Sequence, residues 1–237
     1  MARSNNKRNA TTKDALNYKV LAFRDYLAAR HLLIDDFLLQ GILLSSFSIE
    51  KYLKAILAVR GIPAGKKHID KVNVFKRLFE INSLNFFDYF DERYLWLLSR
   101  VYELRYYDHI KGEKSVGFYK WQVLAELDFM VNLIESSISI KNGIKDIKTM
   151  YFEHVDTSNT NLVRENYIYN NIEKKDFMER KGPACILLFD DKISNCGGSE
   201  LITEIRDSSV KYTGQICLIK ASLNISNKNT ESRGQPI

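Results

Sequence analysis

Cysteine is scarce in the 237-residue chain, which has 3, at Cys185, Cys196 and Cys217. All fall in the last quarter, the number is odd, and no C-x-x-C pair or His-spaced partner accompanies them. A disulfide scaffold and a zinc site are therefore excluded as readings, and reduced structural thiols are predicted. Long apolar runs are also missing. No stretch reaches the roughly 18 to 20 residues that a membrane span requires, and residues 42–44 and 56–59 are each interrupted by polar neighbours. The opening MARSNNKRNATTKD carries Lys and Arg without an apolar segment behind them, so it does not read as a signal peptide. These absences predict a cytoplasmic protein with no membrane partner. There is no internal repeat and no low-complexity tract. There is also no glycine-rich phosphate loop, because Gly197-Gly198 lacks a strand–GxxxxGK–helix context and its Lys. No cofactor is expected.

What is present is a globular composition, 45% hydrophobic and 27% charged, in a chain long enough for one large domain or two modest ones. The net charge of +6 is unevenly spread. Residues 1–142 hold 22 Lys+Arg against 16 Asp+Glu, whereas residues 143–237 hold 13 of each. The excess suits a surface that faces nucleic acid or nucleotide, and a solvated basic face accounts for it equally well.

Apolar periodicity predicts a succession of helices. Residues 1–10 read as a polar arm. Thr12 or Asp14 can cap a first helix over 15–39, its stripe carried by Leu16, Val20, Phe23, Leu27 and Ile34 and interrupted by Arg24, Asp25 and Arg30. Gly41 offers a bend before a second helix over 42–60, which Gly61, as a left-handed cap, and Pro63 terminate. A loop over 61–70 leads to a third helix over 71–82 and a turn over 81–87. An aromatic-rich fourth helix follows over 88–107, then a loop over 108–117 and a long helix over 118–141. Beyond about 150, residues 155–161 read as a linker and 162–180 as a weak helix. Residues 184–189 (ACILLF) and 215–223 (QICLIKASL) read as strands. The fold class predicted is mainly α: a helical bundle over 12–142 with a small C-terminal α+β region over 160–225.

The second helix is the centre of the pattern. Its residues 47–60 read FSIEKYLKAILAVR, with Phe47, Tyr52, Leu53, Ile56 and Leu57 among a stripe at helical spacing. Glu50 and Lys54 stand four apart, acid first, and can pair on one face. A core helix with an ordinary surface ion pair explains this much. The run SIEKYLKAIL, followed by a short loop and His68, also resembles the signature of the HEPN domain family (higher eukaryotes and prokaryotes nucleotide-binding). Residues 25–30 (DYLAAR) and 102–108 (YELRYYD) fit the same pattern, and the resemblance covers about residues 14–140. It implies an up-and-down helical bundle that dimerises and binds RNA or nucleotide in a prokaryotic stress, defence or toxin–antitoxin setting, with a partner protein such as an antitoxin.

Three sets of candidate residues follow. RNase members of the family use an Arg and a His spaced R-x(4–6)-H without metal. The Arg stabilises charge on the scissile phosphate and the His moves protons. Here Arg105 and His109 are spaced R-x3-H, one residue short, and Tyr106 stands where a polar residue is usual. The segment looks more like the family branch that reads ARYPD, in which the RNase motif is absent. Two readings remain open: an endoribonuclease using Arg105 and His109, or a structural polar network of Tyr102, Arg105 and Asp108. The second set is Glu50, Lys54 and His68 with Asp70. A loop His can be a hydrogen-bonding residue or a catalyst, and Lys51, Lys54, Lys66 and Lys67 could meet phosphates as point charges. The third is the aromatic density over 86–107, which reads as core, with any exposed remainder serving stacking on RNA or a dimer interface.

Overall fold

The computed structural model describes residues 10–103, 114–142, 144–190 and 200–201. It is mainly helical. α1 (Thr12–Ile34) and α2 (Leu38–Val59) form an antiparallel pair, and α3 (Val72–Ile81) follows a 3-10 turn over Ile69–Lys71. α4 (Glu92–Glu103) precedes β1 (Lys114–Tyr119) and α5 (Lys120–Ser137). A two-residue hairpin, β2 (Lys141–Asn142) and β3 (Lys145–Asp146), leads to three short helices, α6 (Met150–Asp156), α7 (Thr160–Val163) and α8 (Lys174–Met178). β4 (Ala184–Asp190) and β5 (Glu200–Leu201) complete a three-stranded antiparallel sheet in the order β1-β4-β5.

The helix limits follow from caps. Thr11, not Thr12 or Asp14, is the N-cap of α1: its Oγ1 accepts from the Asp14 N–H at 3.2 Å, and the Asp14 carboxylate accepts from the Thr11 N–H at 2.9 Å. This is a capping box. α1 ends at Ile34 rather than near residue 39. The Phe37 N–H donates to the Leu32 carbonyl at 2.8 Å and Asp36 takes a φ of +67°. A short polar side chain tolerates that left-handed position. Gly41 is therefore not a bend but lies inside α2, where a Cβ would come within 2.6 Å of Leu33 Cγ. Its role is to let α1 and α2 approach closely, helped by Ser48, whose Oγ donates to the Ala22 carbonyl at 2.9 Å. At the other end of α2, Gly61 has a φ of +72°. The Gly61 and Ile62 N–H groups donate to Ala58 and Leu57 at 3.0 and 2.9 Å, so the predicted left-handed cap is a complete Schellman motif.

Residues 118 and 119 differ from the predicted helix over 118–141. They end β1, which pairs with β4 so that Phe118 lies opposite Cys185 and Tyr119 opposite Ala184. Alternation in Ser115, Val116, Gly117 and Phe118 is the two-residue period of a strand. The predicted linker over 155–161 instead contains the end of α6 and the start of α7, and the predicted helix over 162–180 is represented by α7 and α8. Tyr151, Leu162, Phe177 and Cys185 are buried in the same cluster as Phe23, Leu53 and Val131. The aromatic density over 86–107 is mostly core where it is described: Phe87, Phe90, Tyr94 and Tyr102 are buried, Phe86 and Trp96 are half-buried, and Tyr89 is exposed. Cys196 and Cys217 lie outside the described residues, as does the predicted strand over 215–223.

Sequence reasoning did not find the polar ladder inside this core. In α1, Lys19 and Arg30 are eleven residues apart and share one face. In α5, Asp128 and Glu135 are seven apart and share one face. Arg30 pairs with Asp128, and Lys19 Nζ meets Glu135 at 2.6 Å, all four being essentially inaccessible. The pairs run in opposite order along the two helices, so they fix an antiparallel register. Lys120 adds a third rung, donating to the Ile34 carbonyl at 2.6 Å and to Asp36 at 2.7 Å, a cation at the C-terminus of α1. Tyr26 donates to Asp128 at 2.9 Å and Tyr52 to Glu135 at 2.8 Å. Arg30 also donates to the carbonyls of Asn161 and Arg164, which brings α7 onto the ladder.

Replacing Asp128 by Ala leaves Arg30 buried beside fewer acceptors. We expect a loss of about 3–5 kcal/mol, read from the shift in urea midpoint at constant m-value. A loss below about 1 kcal/mol would show that water or neighbouring carbonyls replace the carboxylate. A second expectation concerns alkaline pH. Burial pushes the phenols of Tyr26, Tyr52 and Tyr94 well up from their ordinary value. Stability from these groups is complete below the unfolded tyrosine value of about 10. As pH rises above that value the unfolded chain releases protons the folded chain retains, and stability falls by about 1.4 kcal/mol per tyrosine per pH unit. In an alkaline titration a slow-titrating subset of tyrosines should ionise together with the loss of helical circular dichroism. Ionisation of every tyrosine with the helices intact would contradict this.

Candidate functional site

Glu50 is the junction of the site. It lies on α2, 7% exposed. Its Oε1 accepts from Lys54 Nζ at 2.7 Å and faces His68 Nδ1 at 3.1 Å, while its Oε2 accepts from the Ile69 N–H at 3.0 Å. The helical spacing that predicts the Glu50–Lys54 pair is realised, but the pair is buried, with Lys54 also 7% exposed. A buried carboxylate needs such partners, because an ion taken from water without them is strongly penalised. The Ile69 N–H opens the 3-10 turn, so Glu50 also anchors the chain between α2 and α3.

His68 is held from two directions. Nδ1 points to Glu50, and the ring stacks on Tyr102 at 5.6 Å between centroids with 24° between planes. Tyr102, buried near the end of α4, receives the edge of Phe47 from α2 at 6.0 Å and 89°. The imidazole side chain is nevertheless 48% exposed. Nε2 has no hydrogen-bond partner among the described residues. An imidazole oriented by a carboxylate at one nitrogen can offer the other as a donor or acceptor to a ligand, or move a proton.

The other predicted cations are arranged differently. Lys51 is paired with Asp25 of α1 and lies 5.7 Å over the Phe47 ring, so it braces α2 on α1. Lys67 donates to the Ala64 carbonyl at 3.1 Å. Lys66 is exposed in the loop before His68. The structure thus brings Glu50, Lys54, His68 and Tyr102 into one cluster with Phe47, and sets Lys51 in a separate ion pair. Arg105, Tyr106, Asp108 and His109 lie outside the described residues. In the sequence Phe47 reads only as a residue of the apolar stripe. Its position three before Glu50, on the same helical face, is the signal that links it to the cluster.

Among the described residues, no group of three or more His, Cys, Asp or Glu side chains could hold a metal ion. No described helix is long and apolar enough to cross a membrane. No family model matches the chain, and neither a curated protein nor a solved structure matches it.

If Glu50 is the anchor, Glu50→Ala orphans the Ile69 N–H and a buried ammonium at once. We expect it to cost about 3–5 kcal/mol. Lys51→Ala removes a half-exposed pair and should cost less than about 1 kcal/mol. Chemical denaturation of the two variants checks the contrast, and equal costs would remove the anchoring role.

Proposed function

We propose that the chain is a HEPN-like helical bundle that binds RNA or a nucleotide, acts as a homodimer and works in a prokaryotic stress, defence or toxin–antitoxin setting, with a partner protein such as an antitoxin. The observation that carries this reading is His68: a half-exposed aromatic ring fixed by Glu50 and Tyr102, next to the exposed Lys66. A fixed ring gives a base a surface to stack on at small ordering cost, and a nearby ammonium meets a phosphate. The positive excess of residues 1–142 supports the same reading.

The alternative is a metal-independent endoribonuclease using Arg105 and His109. It is favoured by one point of placement: Tyr102, three residues before Arg105 in the sequence, is already part of the His68 cluster. In that case Arg105 would stabilise charge on the phosphate and His109 would transfer protons.

Fluorescence anisotropy with a labelled single-stranded RNA tests the binding reading. Wild type should bind with an affinity that falls with added salt, and His68→Ala should weaken binding roughly tenfold, with an unchanged unfolding temperature as the control. Wild-type and His68→Ala proteins that bind alike, or not at all, would overturn it. Incubation of the same RNA in EDTA tests the alternative. Cleavage abolished by both Arg105→Ala and His109→Ala supports the enzyme, and intact RNA after incubation with wild type rejects it.

A further inference from the structure

At the end of the bundle that carries His68, the first turns of α1 and the loop after α2 enclose a groove of about 220 Å³. Ala10, Asp14 and Tyr18 form one wall, and Ile62, Pro63 and Gly65 the other. The walls are held in place. The Ala10 N–H donates to the Gly61 carbonyl at 3.2 Å, and the Ile62 N–H is tied to Leu57 by the cap of α2. Gly65 takes a φ of +62°, which suits glycine. It stands three residues from His68, at most about 10 Å of chain.

Charge around this groove is one-sided. Lys13 precedes Asp14 in one wall, Arg60 opens the loop, and Lys66 follows Gly65 in the other wall. All three are exposed, and none has a hydrogen-bond or ion-pair partner among the described residues. Cations elsewhere are matched: Lys51, Lys76, Lys174 and Arg180 each meet a carboxylate. Asp14 is the one carboxylate among the described residues that line the groove. The capping box consumes it, since Asp14 Oδ2 accepts from the Thr11 N–H at 2.9 Å and from Thr11 Oγ1 at 2.7 Å. The start of α1 adds the positive end of its dipole. The sequence before Ala10, outside the described residues, adds Arg3, Lys7 and Arg8 and no carboxylate.

We propose that single-stranded RNA runs from His68 along the loop to the start of α1, with one base in this groove against Tyr18 and its phosphates on Lys13, Arg60 and Lys66. The inference rests on the binding reading above and deepens it by naming the ligand: an oligomer rather than a mononucleotide, and a single strand rather than a duplex. The groove is smaller than the roughly 300–1,000 Å³ of sites that enclose a whole small molecule, so it suits one part of a longer ligand. Tyr18 is half-buried, and its hydroxyl has no partner among the described residues. Its ring gives a base a second surface to stack on, beyond the one at His68. A base can enter only when it is unpaired, which excludes a duplex. Unmatched ammonium and guanidinium groups favour a polyanion.

The test is the anisotropy assay on the full chain, with a labelled single strand of about 12 nucleotides, inside the about 4–16 that single-strand sites span. Lys13→Ala and Arg60→Ala should each reduce the slope of log affinity against log salt by about 0.7. Lys175→Ala should leave it unchanged, because α8 packs on the opposite end of α5 from the groove. Tyr18→Ala should weaken binding roughly tenfold, and Tyr18→Phe, which keeps the ring, should recover what is lost. A duplex of the same sequence should compete at least about tenfold less well. Unaltered salt slopes in both cation variants, indifference to Tyr18→Ala, or equal competition by the duplex would each overturn the proposal. Binding that needs His68 but none of Lys13, Arg60 and Tyr18 rejects the track and leaves the binding reading intact. Binding that needs those three but not His68 rejects the path from His68, and no binding by wild type rejects both readings.

Discussion

The structure depends on the charged ladder between α1 and α5. Lys19, Arg30, Asp128 and Glu135 are all withdrawn from water, and each alone would cost several kcal/mol to bury. They are tolerable only as pairs, and the pairs form in one register only. Sliding α1 by one turn against α5 would leave two cations and two anions unmatched in an apolar interior. Apolar packing alone specifies register weakly, since Leu and Ile can exchange neighbours at modest cost. A polar ladder specifies it strongly. The cost of such a device in stability is offset here by the hydroxyl donors that complete each carboxylate, Tyr26 at Asp128 and Tyr52 with Thr149 at Glu135.

That register fixes the orientation of α2. Tyr52 turns one side of α2 toward Glu135 and α5, while Glu50, two residues earlier and about 200° round the helix, turns the opposite side toward His68 and the 3-10 turn. The same short sequence therefore contains a core contact and a site contact on opposite faces. Lys51, between them, is drawn to Asp25 on α1. The alanines and Gly41 keep α2 narrow enough for α1 to lie close beside it. A helix surrounded this completely has little rotational freedom. For that reason the exposed imidazole at its edge can be positioned to within a hydrogen bond.

Much of this was legible in the sequence, and the parts that were not have identifiable physical causes. The limit of α2 at Gly61 could be read because glycine advertises a left-handed cap. The break between α1 and α2 could not, because Asp36 makes the left-handed turn without glycine and the conspicuous Gly41 serves helix contact instead. β1 was hidden because a short strand is defined by its partner, and β4 lies some seventy residues further along the chain. The ladder was missed for a different reason. Charges within an amphipathic pattern are ordinarily assigned to the solvated face, yet Lys19 and Arg30 share the face of Ala22, Phe23 and Tyr26, and Asp128 and Glu135 that of Leu124 and Val131. Complementary charges repeated on the apolar stripes of two helices were the available signal. At the candidate site, the spacing of Glu50 and Lys54 announced their pairing, but only the fold shows that His68, Ile69 and Tyr102 converge on the same carboxylate and ring.

Glu50 also ties the loop after α2 to the rest of the bundle. Its Oε2 holds the Ile69 N–H, and Ile69 is wholly buried, so the 3-10 turn pivots on one carboxylate. His68 stands on one side of that pivot and Asp70 on the other. α4 reinforces the link, since it carries Tyr102 against His68 and Trp96 into the wall of a groove between α3 and α4. The turn at Ile69–Lys71, clamped by Glu50 and packed on α4, thus lies between the His68–Tyr102 cluster and the groove beside Trp96.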